Sequence, residues 1–491
     1  MLLSVSFFFI SLALVEGSPP EGLPLRSLSL RDTANITAAN ITWPSNPEQN
    51  GQAACAKLAS KYPGDTFSPN TANYTLESNG VRSGGHMPVP GAQSTNTGVM
   101  IGMTHFNTNI LTQSNEVAQI GTGQRWTDVY QWISPYGLAV AGGRYGEVGV
   151  GGLLLGGGIN NFGNSYGWSV SNIVGYQVVL ADSSIVEVSA TAHSDLFWAL
   201  KGGGNNFAIV TRFDMKTIPI TSAFTGITAW AGDVFPQYIK AIADFITSGG
   251  GIEDPLTQIN PTVAITPPNG TLQALNIPFV AGSTKNPVSL ENFTAITPTI
   301  FNDLGPRANW ASGAEELVAF NIIHERELFW SLGLKAEPEI VQLAYETVLF
   351  SARDQLANVA GSDVSVAYQP ISKAWLQKAK DAGGDAIDLD PADGSFVSTL
   401  IAYHWENESD DAQMIAWGKD IVANLTQKAK AAGVYYPFIY MNDAAAGEKP
   451  FPLYGKGKSL PLLKAIQQKY DPQGLLKNLE ASGFKLDALN D

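Results

Sequence analysis

The sequence predicts an α+β protein of two unlike parts, a glycine-rich strand-dominated part followed by one in which strands alternate with amphipathic helices. Three observations carry that expectation. The chain has 491 residues, too many for one small domain and suited to two or three. From about Gly51 to Lys216, short β-like runs are broken by glycine clusters. Beyond Lys216 apolar residues recur at helical spacing between strand-like runs, the pattern of an antiparallel sheet covered by helices on one face.

At the N-terminus, Met1 to Val15 is an apolar run that ends near Gly17 and Ser18. It has the length of a signal peptide and is too short to span a bilayer comfortably, although it lacks a basic leader. Residues 1–17 are therefore expected to be a signal peptide and 18–50 a polar arm, on a secreted, extracellular protein. N-linked glycans are expected from the sequons at Asn35, Asn40, Asn73, Asn269, Asn292, Asn407 and Asn424. The net charge of −15, without any cluster of Lys and Arg, excludes nucleic acid and an anionic membrane as main partners. Cys55 is the single cysteine, an odd usage for an oxidising compartment.

Further along, Gly98–Met103 and Val117–Ile120 read as strands, and Ile173–Val188 as a hairpin turning at Asp182-Ser183-Ser184. Asp195 to Thr211 reads as a short helix, a glycine turn and a strand. Phe235, Tyr238, Ile239, Ile242, Phe245 and Ile246 mark a helix stopped by the glycines at 249–251. A second helix lies between Asp410 and Gly433, with Met414, Ile421, Val422 and Leu425 on its apolar stripe. Strands are expected at Val364–Gln369, Phe396–Trp405 and Tyr436–Asn442, and a last helix at about Leu460–Tyr470, before Asp471-Pro472.

Two stretches carry chemistry. In Val81-Arg82-Ser83-Gly84-Gly85-His86, followed by Met87, adjacent glycines let backbone amides approach an anion, Arg82 adds charge and His86 offers an imidazole. A tight turn with a surface histidine accounts for this hexapeptide equally well. In Gly142 to Gly158, side chains are missing at Gly149, Gly151, Gly152, Gly156, Gly157 and Gly158, where a bulky cofactor can lie against backbone; a glycine-rich strand and bulge without ligand is the alternative. No Gly-Lys-[Ser/Thr] follows, and G-x-G-x-x-G fails at Leu154 or Asn161, so neither a Walker loop nor a Rossmann fingerprint is present.

With the block Asp195 to Thr211, and in this order, these stretches resemble the berberine-bridge-enzyme-like branch of the vanillyl-alcohol-oxidase superfamily. The resemblance extends to Tyr440-Met441-Asn442-Asp443 and to Lys469-Tyr470-Asp471-Pro472-Gln473-Gly474. It implies a two-part FAD-binding domain of the p-cresol-methylhydroxylase type (51–216 with the returning segment 455–491) and an inserted substrate domain (217–454). It also implies a pyrophosphate loop from Arg82 to His86 and a covalent bond from His86 to the 8α-methyl carbon of FAD. Cofactor contacts are implied at Met87, Val148 and Ile209 as well. Tyr145 stands where many members carry a second linking cysteine, so one covalent bond is expected; Val148 matches the position that gates oxygen. Oxidase chemistry on a small alcohol, sugar or secondary metabolite, with O2 as acceptor, follows from the same likeness. Tyr440, Asn442, Gln369 and His404 are the candidate catalytic residues, since strand alternation gives shared faces to Tyr440 and Asn442, to Ser365, Ala367 and Gln369, and to Ser398, Ala402 and His404. Where relatives read Tyr-x-Asn-Tyr, this chain has Asp443.

One departure concerns the FAD part. Asn73 to Ser78 runs through Asn79-Gly80 straight into Val81, whereas the family has a strand–helix–strand stretch there with a cysteine that pairs with the equivalent of Cys55. A segment is therefore expected to be deleted near 78–81, and a secreted glycoprotein that keeps the fold without binding flavin is the rival reading. Gly163-Asn164-Ser165-Tyr166-Gly167 fits the G-x-S-x-G of serine hydrolases but lacks the preceding hydrophobic strand. The histidines (His86, His105, His193, His324, His404) are scattered, and His324-Glu325 lacks the second histidine of a zinc motif, so no metal is expected.

Overall fold

The computed structural model describes residues 54, 56–62, 66, 81–89, 100–267, 269–318, 326–479 and 483–487. The expected signal peptide and arm, Cys55, the junction at 78–80, the sequons at Asn35, Asn40 and Asn73, and His324 lie outside them.

The first part is built on a five-stranded antiparallel sheet in the order Asn109–Leu111, Val117–Gly121, Ile209–Lys216, Ile173–Val179 and Ile185–Ser189. The hairpin forms where the turn residues put it. Asp182 Oδ1 accepts from the Ser184 backbone N–H at 2.9 Å and from its hydroxyl at 2.6 Å, and Ser183 takes a left-handed φ of 70°. Ahead of this sheet, Val81–Arg82 pairs in parallel with Ile101–Gly102 as a sheet of only two strands among the described residues. The stretch around Gly149 is not a strand and bulge: it opens the helix Val150–Leu155.

The second part centres on a seven-stranded antiparallel sheet, in the order 301–302, 228–231, 271–276, 262–266, 363–371, 396–404, 327–335. One face is covered by the helices Phe235–Ile246, Glu339–Gln355 and Asp411–Ala431, which bury Tyr238, Ile242, Val341, Val348, Met414 and Ile421 in a common core. The buried residues lie four apart in the first helix and seven apart in the other two, so each helix contributes one stripe to that core. The other sheet face is left for a site.

Tyr436–Asn442, expected as a strand, is not one. Tyr436 N–H donates to Gly333 O at 3.0 Å and Phe438 O accepts from Gly333 N–H at 2.9 Å, after which Met441–Asp443 coils into a 3-10 turn. Aromatic packing overrides alternation here, because Phe396 stacks on Tyr436 at 4.2 Å between ring centroids and Phe438 lies edge-on to Phe396. Tyr436, Phe438, Tyr440, Phe451 and Tyr454 thereby enter the core of the first part. The return is pinned further on: Asn206 Nδ2 donates to Phe484 O at 3.0 Å, and Lys469 Nζ and Tyr470 Oη both reach Asp195, at 2.6 and 2.8 Å.

Trp375 is a second fastener between the parts. It is fully buried and lies against Gly163, where an added Cβ would fall on its ring. Trp375→Ala is expected to cost about 3–5 kcal/mol of stability, the usual range for a buried large aromatic; an unchanged urea midpoint would count against this packing.

Candidate active site

Between the glycine-rich loops and the open face of the seven-stranded sheet lies a cavity of about 500 Å³. Its size is that of a cofactor or small-molecule site. Alternation along the strands decides which side chains reach it. Ser365, Ala367 and Gln369 do so from one strand, Leu400 and Ala402 from the next, and Glu327 and Phe329 from the edge strand.

The opposite wall is the loop Arg82–Met87 laid against the start of the helix Val150–Leu155. Ser83 makes that junction: its hydroxyl donates to Thr122 O at 2.6 Å and accepts from Gly151 N–H at 3.1 Å. Gly84 and Gly149 touch backbone to backbone, so a Cβ on either would fall on main-chain atoms of the other. Gly85 takes a φ of 65° and covers the Arg82 guanidinium. At Gly152, by contrast, an added Cβ meets nothing within 4 Å, which leaves bare backbone facing the cavity.

These features fit FAD. A flat, extended group needs bare backbone on one side and an unpartnered polar group or two on the other. Asn260 supplies one of these, since its Oδ1 is buried without a hydrogen-bond partner among the described residues. His86 stands on the wall as an exposed residue; partial desolvation by the groups around it lowers its pKa below the usual imidazole value, the Arg125 charge adds to this, and the ring is neutral at pH 7.

Comparison with known proteins agrees. Residues 79–189 match the profile of the FAD binding domain. The fold is that of 6-hydroxy-D-nicotine oxidase from Arthrobacter nicotinovorans (TM-score 0.65, 18% identity, 82% of this chain and 86% of that one). It is also that of berberine bridge enzyme from Eschscholzia californica (TM-score 0.60, 16% identity, 84% and 86%). The FAD-dependent monooxygenase prx3 of Penicillium roqueforti is 36% identical over 414 residues, 83% of this chain and 81% of its own length. The chain belongs to this family of berberine-bridge-enzyme-like, FAD-linked oxidoreductases.

In this oxidoreductase the cavity wall takes in Arg82, Ser83, Gly84, Gly85, His86, Met87, Val148, Gly149, Gly151, Gly152, Gly156 and Ile209 from the expected cofactor set. Gly157 and Gly158 are not part of the wall. Their left-handed φ values, 107° and 83°, turn the chain away, and the space a side chain would need there belongs to Ile387 and Ser169. Gly156 has a similar purpose, because the Asn442 amide fills the place of its missing Cβ.

Of the expected catalytic residues, Tyr440, Asn442 and Gln369 line the cavity and His404 does not. His404 ends its strand in register with Asp363 and with Glu327, and although Glu327 lines the cavity the His404 side chain does not. Tyr440 and Asn442 meet through the 3-10 turn and not through strand alternation. Asn442 Nδ2 donates to Tyr440 Oη at 2.9 Å and to Leu153 O at 3.0 Å, while Ile159 N–H donates to the same Oη at 2.8 Å. Burial, and next the Asp443 charge, push the Tyr440 phenol well above its usual pKa, so it is a hydrogen-bond donor at neutral pH.

Four wall residues were not singled out from the sequence: Arg144, Asn260, Glu327 and Asp443. Burial pushes Glu327 up to about 7. Arg144 donates to Gln369 Oε1, and Gln369 Nε2 donates to Asp443 Oδ2 at 2.6 Å, so one relay crosses from the glycine-rich part to the sheet and on to the turn Met441–Asp443. The only sequence signal for it was the Asp443 that departs from Tyr-x-Asn-Tyr. Ser165 of the G-x-S-x-G stretch is elsewhere, in the four-residue helix Gly163–Tyr166, donating to Pro255 O at 2.7 Å. Among the described residues no group of three His, Cys, Asp or Glu side chains is disposed to hold a metal ion.

Proposed function

We propose that the chain is a secreted oxidase that carries FAD on His86 and dehydrogenates an apolar, hydroxyl-bearing small molecule in the cavity. The observation that carries this reading is a neutral His86 on the wall of a cavity that Tyr440 and Gln369 also line. Bound FAD supplies a hydride acceptor that O2 reoxidises with release of hydrogen peroxide. The protein's share is to bind and orient. Nε2 or Nδ1 of a neutral imidazole has a free lone pair for the flavin's 8α-methyl carbon, which an imidazolium lacks. Tyr145, buried where relatives carry a second linking cysteine, offers no thiolate, which supports a single bond. The Tyr440 hydroxyl, fixed by two donors to its oxygen, directs its own hydrogen at a substrate oxygen.

The substrate class follows from the sheet face. Ala229, Leu275, Phe329, Ala367, Leu400 and Ala402 give it apolar ground between the polar Thr262, Gln273, Glu327, Ser365 and Gln369, which favours an alcohol on an apolar skeleton over a sugar hydroxylated all round. An aromatic or polyketide-like alcohol fits better. Val148 on the wall beside His86 supports oxygen gating. Glycosylation and secretion gain support from Asn269, Asn292, Asn407 and Asn424, all exposed. No helix among the described residues is long and apolar enough to cross a membrane.

A second reading, oxygen insertion, has one observation behind it: the prx3 relative is named a monooxygenase. The test is to express the chain, precipitate it with acid, look for flavin fluorescence in the pellet, and then supply aromatic alcohols under labelled O2. The oxidase reading expects one peroxide per turnover and no label in the product; labelled product selects the monooxygenase. A colourless protein refutes both, and is what a deletion near 78–81 in a flavin-free glycoprotein predicts.

A further inference from the structure

We propose that Asp443, held by the Arg144–Gln369 relay, is the group that accepts the substrate's hydroxyl proton, and that Tyr440 is not. This rests on the dehydrogenation reading above. Asp443 lies on the cavity wall, one residue past Asn442, on the rigid 3-10 turn that also carries the Tyr440 contact. Its two oxygens are unlike. Oδ2 accepts from Gln369 Nε2 at 2.6 Å, whereas Oδ1 takes no hydrogen bond among the described residues. A carboxylate fixed through one oxygen and open at the other has the geometry of a proton acceptor. Tyr440 lacks it, because its oxygen already accepts from Ile159 and Asn442.

Four charged or titratable groups face Asp443. Arg144 favours its ionised form, Glu448 is pushed up by burial first and by the Asp443 charge last, and Tyr440 and Tyr145 are neutral phenols that feel the same charge. Burial prevails, raising Asp443 to about 6, so it is ionised at neutral pH yet basic enough to take a proton. In the step, the substrate O–H bond breaks towards Asp443 Oδ1 and the electron pair of the adjoining C–H bond leaves as hydride to the cofactor. A carbonyl forms, Asp443 becomes a carboxylic acid, and loss of its proton to water restores it. Gln369 is a positioning residue here: its amide cannot relay a proton, but it fixes Oδ2 and passes on the Arg144 charge.

The experiment uses the full chain and two variants, Asp443→Asn and Asp443→Glu, with benzyl alcohol as anaerobic probe. Infrared difference spectra of the wild type are expected to lose a protonated-carboxyl band as pH rises through about 6, and Asp443→Asn is expected to lack that component. Benzyl alcohol affinity in the wild type should rise about tenfold between about pH 5 and 7, following the ionised fraction. In Asp443→Asn it should be flat, and Asp443→Glu should regain the slope. For any alcohol that yields peroxide, Asp443→Asn should lower kcat about 10²–10⁴-fold while KM at neutral pH rises by no more than about tenfold, to its value in the wild type with Asp443 protonated. A variant that keeps the wild-type pH slope and kcat would overturn the proposal, as would a carboxyl band identical in Asp443→Asn. Flavin in the acid pellet is scored separately, so a failed oxidase reading is told apart from a failed assignment of Asp443.

Discussion

Alanine in place of His86 is expected to abolish acid-stable flavin, leaving an unlabelled pellet where the wild type fluoresces. The magnitude is close to complete because a covalent bond either exists or does not, and among the described residues no cysteine lines the cavity. Tyr145 holds the position of the alternative link, and burial raises its phenol above the usual pKa. Flavin is still expected to bind reversibly to the variant, since Gly84, Gly149 and Gly152 are untouched. Dialysis should then release it, and the supernatant of acid precipitation should contain it. Acid-stable flavin in the variant pellet would sink the assignment of His86.

Gly84→Ala is expected to reduce total flavin at least tenfold (about 1.4 kcal/mol or more in binding). The new Cβ falls on the Gly149 backbone, not on the end of a flexible side chain, so the two loops must part. Parting them strains the Ser83 bonds to Thr122 and Gly151, and overpacking of this kind costs about 1–3 kcal/mol. Gly152→Ala is the control for stability, because its Cβ meets no protein atom within 4 Å. Its thermal midpoint should match the wild type, and any loss of flavin there reads cofactor contact alone. Equal flavin content in Gly84→Ala and wild type would show that the loop–helix junction does not shape the cofactor wall.

The candidate site was legible where chemistry is local. His86 follows two glycines in one loop, and Gln369 shares a strand face with Ser365 and Ala367, so their direction is set by periods of the backbone. It was not legible where chemistry is assembled from distant segments. Arg144 is 225 positions from Gln369, and Gln369 is 74 from Asp443, yet two hydrogen bonds join them. Alternation also misled at Tyr440 and Asn442, which meet over a 3-10 turn, and at His404, which stays off the wall although its register partner Glu327 is on it. Glycines were over-read in the same way. Absence of a side chain at 156–158 is real, but at all three positions another side chain of this protein, from Asn442, Ile387 or Ser169, takes the space.

By itself the sequence determined the FAD-type loop, the hairpin, the covering helices and the sheet face available for substrate. Each depends on residues close in the chain, whose periodicity and turn chemistry act before any tertiary contact forms. Only the tertiary structure decided which carboxylate faces the cavity, which glycines serve the cofactor and which serve packing, and how the returning segment is threaded. Those outcomes depend on which segments exclude water from one another, and pairwise contacts between distant residues leave no periodic trace in the chain.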